Sequence, residues 1–252
     1  MSGTLHGIEL TPPDIEPYRR GNTGVDYVTT WTGPGPGPHV VVNALIHGNE
    51  PCGAAALDLL LRLGVRPTRG RLTFAFANVA AYRTFDRASP TLARFLDEDM
   101  NRLWDPAVLD GARRSIELDR ARALRPVYES ADYLLDLHSR QDSGEPLTLC
   151  GMTVRGRALA CAIGYPRWIV ADAGHAGGRR LLDHPRFSAP DPAPPVTLPA
   201  ALPAALLVEC GGHRDAKSAR VATEVALRFL RHLDMIDPGI VAPFLGTGPS
   251  AP

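Results

Sequence analysis

The residues of this sequence best suited to chemistry are two histidines and a glutamate. His47 and Glu50 sit in His-Gly-Asn-Glu, directly after the apolar run His39–Ile46, and His138 closes a second apolar run, Tyr133–Leu137. Two imidazoles and a carboxylate make the three-donor set of a catalytic zinc site, whose fourth position takes water. One Zn2+ per chain is therefore expected, bringing the pKa of that water to about 7 and polarising a carbonyl. Asp136 lies two residues before His138, on the same strand face, where it is placed to orient the imidazole. The alternative is a strand-end charge facing solvent or paired with an arginine. Glu209 follows a third apolar run, Ala205–Val208. It is placed to act as general base, although by position alone a solvated strand-end glutamate is the simpler reading. An H-x-x-E pair is by itself a weak signal.

These residues need a scaffold that brings distant strand ends together. The short, almost wholly apolar run His39–Ile46 suits a strand covered on both faces, and Arg71–Ala77, Tyr133–Leu137, Leu147–Cys150, Arg167–Val170 and Ala205–Val208 read as further strands. Helical patterns fall at Cys52–Leu63, with Pro51 near the first turn, at Asp110–Ser130, which Pro126 is expected to end or kink, and at Ala216–Met235. In the last of these, Ala222, Val225, Ala226, Phe229, Leu230 and Leu233 share one face. Strands alternating with helices predict an α/β fold: three layers, α/β/α, around a mixed, mostly parallel sheet. In open α/β sheets ligands gather beyond the carboxyl ends of strands, which is where His47 and His138 are expected. The proline-rich segment Pro185–Pro203 reads as a surface loop, either a local lid or a plain insertion. Residues 1–237 are expected to form a single catalytic domain and 238–252 a flexible tail.

Composition limits the function classes. The 252 residues carry 27 Lys+Arg and 27 Asp+Glu, for a formal charge of zero. That balance argues against nucleic acid or an anionic membrane as partner, since both need a basic surplus. No apolar run approaches the roughly 18 residues of a membrane span. The first 20 residues lack a charged segment followed by an apolar one, so no signal peptide and a cytoplasmic location are expected. Cys52, Cys150, Cys161 and Cys210 show no C-x-x-C spacing and read as buried thiols.

Four ordered blocks, HGNE at 47–50, RFLDEDMNRLW at 94–104, DLHS at 136–139 and VECGG at 208–212, resemble the succinylglutamate desuccinylase/aspartoacylase family, part of the zinc carboxypeptidase-like superfamily. The resemblance covers roughly residues 20 to 235. It implies a zinc-carboxypeptidase-like fold, with His47, Glu50 and His138 as zinc ligands and Glu209 as the catalytic glutamate. It further implies that Asn101 and Arg102 hold the substrate's amino-acid carboxylate, a task suited to a guanidinium fork. By the same resemblance Arg94 polarises the scissile carbonyl and Asp99 orients this arginine cluster. Arg180, or its neighbour Arg179, is a weaker match to an arginine that contacts the acyl group. The sequence departs from the family pattern at Asn78-Val79-Ala80-Ala81, where the family has N-P-x-A, and at Met100, where it has leucine. Aspartoacylase-like members carry a further C-terminal β domain over the site, which is not expected here.

The resulting expectation is a zinc-dependent hydrolase that cleaves the amide of a small N-acyl amino acid or a related carboxylate-bearing amide. A homo-oligomer is left open. The alternatives are a carboxypeptidase or deacylase acting on a peptide or natural-product amide, a non-catalytic metal- or carboxylate-binding module, and a cysteine nucleophile at Cys210 beside His213. The last lacks any local cysteine-protease signature.

Overall fold

The structure is a computed structural model and describes residues 10–191, 202–241 and 243–244. Seven strands form one sheet: β1 (Val28–Thr32), β2 (His39–Ala44), β3 (Arg71–Phe76), β4 (Tyr133–Arg140), β5 (Leu147–Leu149), β6 (Trp168–Val170) and β7 (Ala204–Gly212), in the order β1-β3-β2-β4-β7-β5-β6. The central strands β3, β2, β4 and β7 run parallel. β1 is antiparallel to β3, and β5 is antiparallel to β7 but parallel to β6. The sheet is therefore mixed and mostly parallel, as expected.

The helices of ten or more residues are α1 (Pro51–Arg62), α2 (Ile116–Glu129), α3 (Val154–Ile163) and α4 (Ala216–His232). The period-2 alternation of β2 sends Val40, Val42 and Ala44 to one core, shared with α1, α3 and α4, and sends Val41 to a second core, shared with α2. Two cores on opposite faces of one sheet make the three layers. α1 lies close over the strands that matter for the site. A Cβ on Gly53 would stand 2.9 Å from the Cβ atoms of both Ala44 and Leu137, so only glycine lets this helix approach so near. The expected apolar face of α4 is buried throughout.

Several boundaries differ from the sequence reading. Strands β4 and β7 run on to Arg140 and Gly212, so His138 and Glu209 lie within paired strands and not beyond their ends. Their continued pairing explains the extra length, since a buried strand keeps its ladder wherever a partner is available. Helix α2 starts only at Ile116, where the Ser115 side chain caps Leu118 N, and it passes through Pro126 to Glu129. The edge strand β1 and helix α3 carry weaker signals, a half-exposed VTTWT and a short VRGRALACAI, and the apolar pattern does not reveal them. In the proline-rich segment Pro185–Ser188 is a helical turn, while 192–201 lie outside the described residues. The expected tail begins with another turn, Pro238–Val241, and residues 245–252 lie outside the described residues. Cys52, Cys150 and Cys210 are buried, but Cys161 is exposed on α3. Among the described residues no helix is long and apolar enough to cross a membrane.

Candidate active site

The His-Gly-Asn-Glu segment is a tight loop between β2 and α1. Leu45 bends the chain out of β2 with φ of 64°, a conformation uncommon for a side-chain-bearing residue and costly unless its surroundings impose it. Gly48 then passes so near its neighbours that a Cβ would come within 2.4 Å of the Ala81 and Tyr82 backbone and 2.5 Å of Ala93 O. Its N–H donates to Arg94 O at 3.1 Å, tying this loop to the segment that bears Arg94. Glu50 occupies the N-cap position of α1, with Pro51 presetting the first turn. From the neighbouring strands, His138 of β4 and Glu209 of β7 are direct register partners, so both side chains enter the same space.

His47, Glu50 and His138 converge there. One donor atom from each lies within 4.8 Å of the others, and all three residues are at most 3% exposed. His47 Nδ1 is 2.7 Å from Glu50 Oε1, and His138 Nδ1 is 2.9 Å from Glu50 Oε2. Each imidazole carries a carboxylate on its far side: Asp99 Oδ1 at 2.9 Å from His47 Nε2, and Asp136 Oδ2 at 2.8 Å from His138 Nε2. The carboxylates on both outer nitrogens orient the two rings and leave both Nδ1 atoms facing Glu50; the Arg94 guanidinium also reaches His47 Nε2, at 2.9 Å. Burial disfavours charge on both rings, yet the carboxylates around them more than offset it and hold each imidazole above its ordinary pKa. Glu50, flanked by the two rings, is held well below the usual carboxylate range despite its burial. A buried carboxylate clasped between two inward Nδ1 atoms is a donor set that fits a divalent cation.

The expected role of Asp136 has the required geometry, and it has support that the sequence reading missed. Asn43 Nδ2 donates to Asp136 Oδ1 at 2.7 Å, and Tyr128 Oη–H donates to Asn43 Oδ1 at 2.7 Å. The available signal was an asparagine in the middle of a wholly buried apolar strand.

Glu209 faces the same space with Oε2 buried and without a hydrogen-bond partner among the described residues. Burial pushes its carboxyl up to about 7. The nearby Glu50 charge acts in the same direction, against the pull of His138. A carboxylate that is unpartnered, close to three metal-type donors and titrating near neutrality has the properties of a general base. Cys210, next in sequence, points to the opposite face and packs into the core. Burial drives its thiol well up, and His213 Nδ1 bonds Ser139 Oγ at 2.7 Å, so the structure offers no Cys210–His213 pair.

Arg94, Asp99, Asn101 and Arg102 come from one irregular loop. Glu117 of α2, fully buried, holds it: its carboxylate accepts from the backbone N–H groups of Leu96, Asp97 and Glu98 at 2.7, 3.0 and 3.3 Å. Asn78 Nδ2 adds a fourth bond at 3.1 Å. Neither residue stands out by spacing in the sequence. Arg94 Nη2 donates to Asp99 Oδ2 at 3.0 Å, and Arg102 Nη2 lies 3.7 Å from the same oxygen. Asp99 therefore links both arginines to His47, a wider role than orienting arginines. Asn101 accepts from Leu181 N. Arg180 lines the cleft, but its guanidinium is engaged by Asp172 and Asp183. Arg179 instead pairs with Asp105. The cleft has a volume of about 330 Å³ and is bordered by His47, Glu50, Arg94, Arg102, His138 and Glu209, among others.

The architecture recurs in solved structures. A succinylglutamate desuccinylase/aspartoacylase from Rhodobacter sphaeroides aligns with a TM-score of 0.60 at 22% identity, covering 83% of this chain and 59% of that one. The product-bound ectoine utilization protein of Ruegeria pomeroyi gives 0.57 at 20%, covering 83% and 60%. The succinylglutamate desuccinylase of Chromobacterium violaceum gives 0.60 at 19%, covering 82% and 67%. At these identities the likeness establishes the fold, and the chain spans about 60% of the length of the first two. No curated protein sequence matches the chain. The family model of the succinylglutamate desuccinylase/aspartoacylase catalytic domain matches residues 36–162, just over half the chain. The chain belongs to that family. His47, Glu50, Arg94, Arg102 and His138 all fall inside the matched stretch; Glu209 follows it.

Proposed function

We propose that the protein is a zinc-dependent deacylase that hydrolyses the amide bond of a small N-acyl amino acid or a related carboxylate-bearing amide. The observation that carries this reading is the convergence of His47 Nδ1, Glu50 and His138 Nδ1 beside the unpartnered Glu209 carboxylate. Zinc held by the three residues would supply a Lewis acid for the carbonyl and an acidified water. The chain's own groups account for the rest. Arg102, with Asn101 shaping the loop beside it, anchors the substrate carboxylate and so positions the amide. Arg94, steadied by Asp99, places its guanidinium where negative charge develops on the carbonyl oxygen. Glu209 accepts the proton of the attacking water and returns it to the leaving amine.

The test is metal analysis of the purified protein together with a panel of N-acyl amino acids and C-terminal peptides. About one zinc per chain, chelator-sensitive hydrolysis and preference for the N-acyl amino acids are expected. Metal binding without hydrolysis of any amide would favour a binding module, and preference for peptides a carboxypeptidase.

A further inference from the structure

The arginines that border the cleft differ in their counter-charges. Arg94 and Arg102 share Asp99, at 3.0 and 3.7 Å, and Arg180 pairs with Asp172 and Asp183. Arg140 also borders the cleft, partly exposed, and has no carboxylate within 4.0 Å among the described residues. Its one acceptor is a neutral carbonyl: Nη2 donates to Glu145 O at 2.6 Å. Its Nε is buried without an acceptor among the described residues, and Nη1 has none there either. A guanidinium carries five N–H groups, so most of its bonding capacity and all of its charge are left unmet. Withdrawing such a group from water is costly unless something else supplies the acceptors.

The fold nevertheless holds this arginine in place. Arg140 ends β4, two residues after His138, where the register of β4 on β7 shifts. Its carbonyl accepts from His213 N at 2.8 Å. A Cβ on Gly144 would stand 2.9 Å from Arg140 Nη2, and one on Gly212 3.0 Å from Ser143 Oγ. The segment after β4 therefore lies close against both the guanidinium and the end of β7. A cation fixed at the cleft without a counter-charge of its own is suited to a forked grip on an anion. Arg140 reaches the cleft from the strand pair that carries His138 and Glu209. Arg102 reaches it from the loop whose Asp99 bonds His47. An amide that lies at the metal donors with its amino-acid carboxylate on Arg102 has its acyl arm left to meet Arg140.

We infer that Arg140 is a second anchoring residue, which takes an anionic group at the end of the substrate's acyl arm. The inference rests on the deacylase reading and deepens it: the preferred acyl group ends in a carboxylate and is not a simple acetyl group.

The experiment uses the full chain reconstituted with zinc and two matched pairs: N-succinylalanine against N-succinamoylalanine, and N-acetylaspartate against N-acetylasparagine. Each pair exchanges one carboxylate for an isosteric carboxamide, on the acyl arm in the first and on the amine arm in the second. Both kcat/KM and calorimetric binding are measured. Burial dominates the Glu209 carboxyl and the Arg140 charge is among those that oppose it, so a loss common to both members of a pair reports on Glu209 and only the ratio reports on anchoring. The wild-type chain should prefer N-succinylalanine over N-succinamoylalanine by about tenfold or more, chiefly through KM. Arg140→Gln should cut that ratio by about tenfold and move the aspartate-to-asparagine ratio by less than about twofold. Arg140→Lys, which keeps the charge without the fork, serves if the first variant fails to fold, and should cut the first ratio by about threefold. Equal or better use of N-succinamoylalanine by the wild-type chain, an unchanged ratio in a folded variant, or an equal change in the second pair overturns the inference. Failure of both succinyl compounds to bind overturns it as well. Should no amide be cleaved while binding keeps the predicted order and loses it in the variant, the deacylase reading falls and the anchor stands.

Discussion

Glu209→Gln separates the proton-transfer role of this carboxylate from its placement. Glutamine keeps the shape but can neither ionise nor accept a proton at neutral pH. In zinc-loaded protein the variant should retain the metal and lose roughly 10²- to 10⁴-fold in kcat. The structure also predicts a stability effect in metal-free protein. Burial raises the Glu209 pKa from 4.5 to about 7, so the fold favours the protonated acid. That contribution is complete below pH 4.5 and is lost as pH rises through about 7. The shift corresponds to about 3 kcal/mol at pH 8. Glutamine has no such dependence. Urea unfolding of chelator-treated wild type and variant at pH 4.5 and pH 8 should therefore show the variant gaining about 3 kcal/mol relative to wild type between the two. A difference that stays the same at both values would refute the burial argument, and full turnover by the variant would refute the assigned role. In the zinc-loaded enzyme the base must be ionised, so kcat/KM should fall on acidification. A cation beside Glu209 sets the midpoint of that fall below about 7.

Four further outcomes follow from the contacts around the site. Gly48→Ala should destabilise the protein by about 3 kcal/mol and weaken metal binding, because its Cβ meets backbone at 2.4 Å; thermal unfolding and metal titration check both. Glu117→Leu leaves the N–H groups of Leu96, Asp97 and Glu98 without their acceptor, at a cost of about 3 kcal/mol, and hydrogen exchange should accelerate at those residues; unchanged protection would contradict the role of Glu117 as the loop's anchor. Asn43→Leu breaks the Tyr128–Asn43–Asp136 chain and should weaken zinc binding about 10- to 100-fold in chelator competition, whereas wild-type affinity would show that Asp136 needs no such support. Arg102→Lys removes the fork and should raise KM about tenfold with a smaller change in kcat; steady-state kinetics on an N-acyl amino acid decide it.

The sequence by itself determined the class of fold and marked the candidate chemistry-bearing residues. Buried parallel strands must be apolar on both faces, so β2, β3, β4 and β7 stand out as short hydrophobic runs, and α4 shows its periodic face. The HGNE, DLHS and VECGG blocks marked His47, Glu50, His138 and Glu209 by type and order. Spacing could not say that these residues meet, because Glu50 and His138 are brought together by the pairing of β2 with β4 and the packing of α1 on β4, and His138 and Glu209 by the pairing of β4 with β7. The supporting groups were illegible for the same reason. Asn43, Tyr128 and Glu117 look like ordinary buried or helical residues until the sheet and α2 bring their polar atoms against Asp136 and the Arg94 loop. Arg180 shows the limit from the other side. Its type suggested an anion contact, but whether a guanidinium is available depends on which carboxylates fold against it. Only the tertiary structure, by bringing Asp172 and Asp183 to it, decided that it is not.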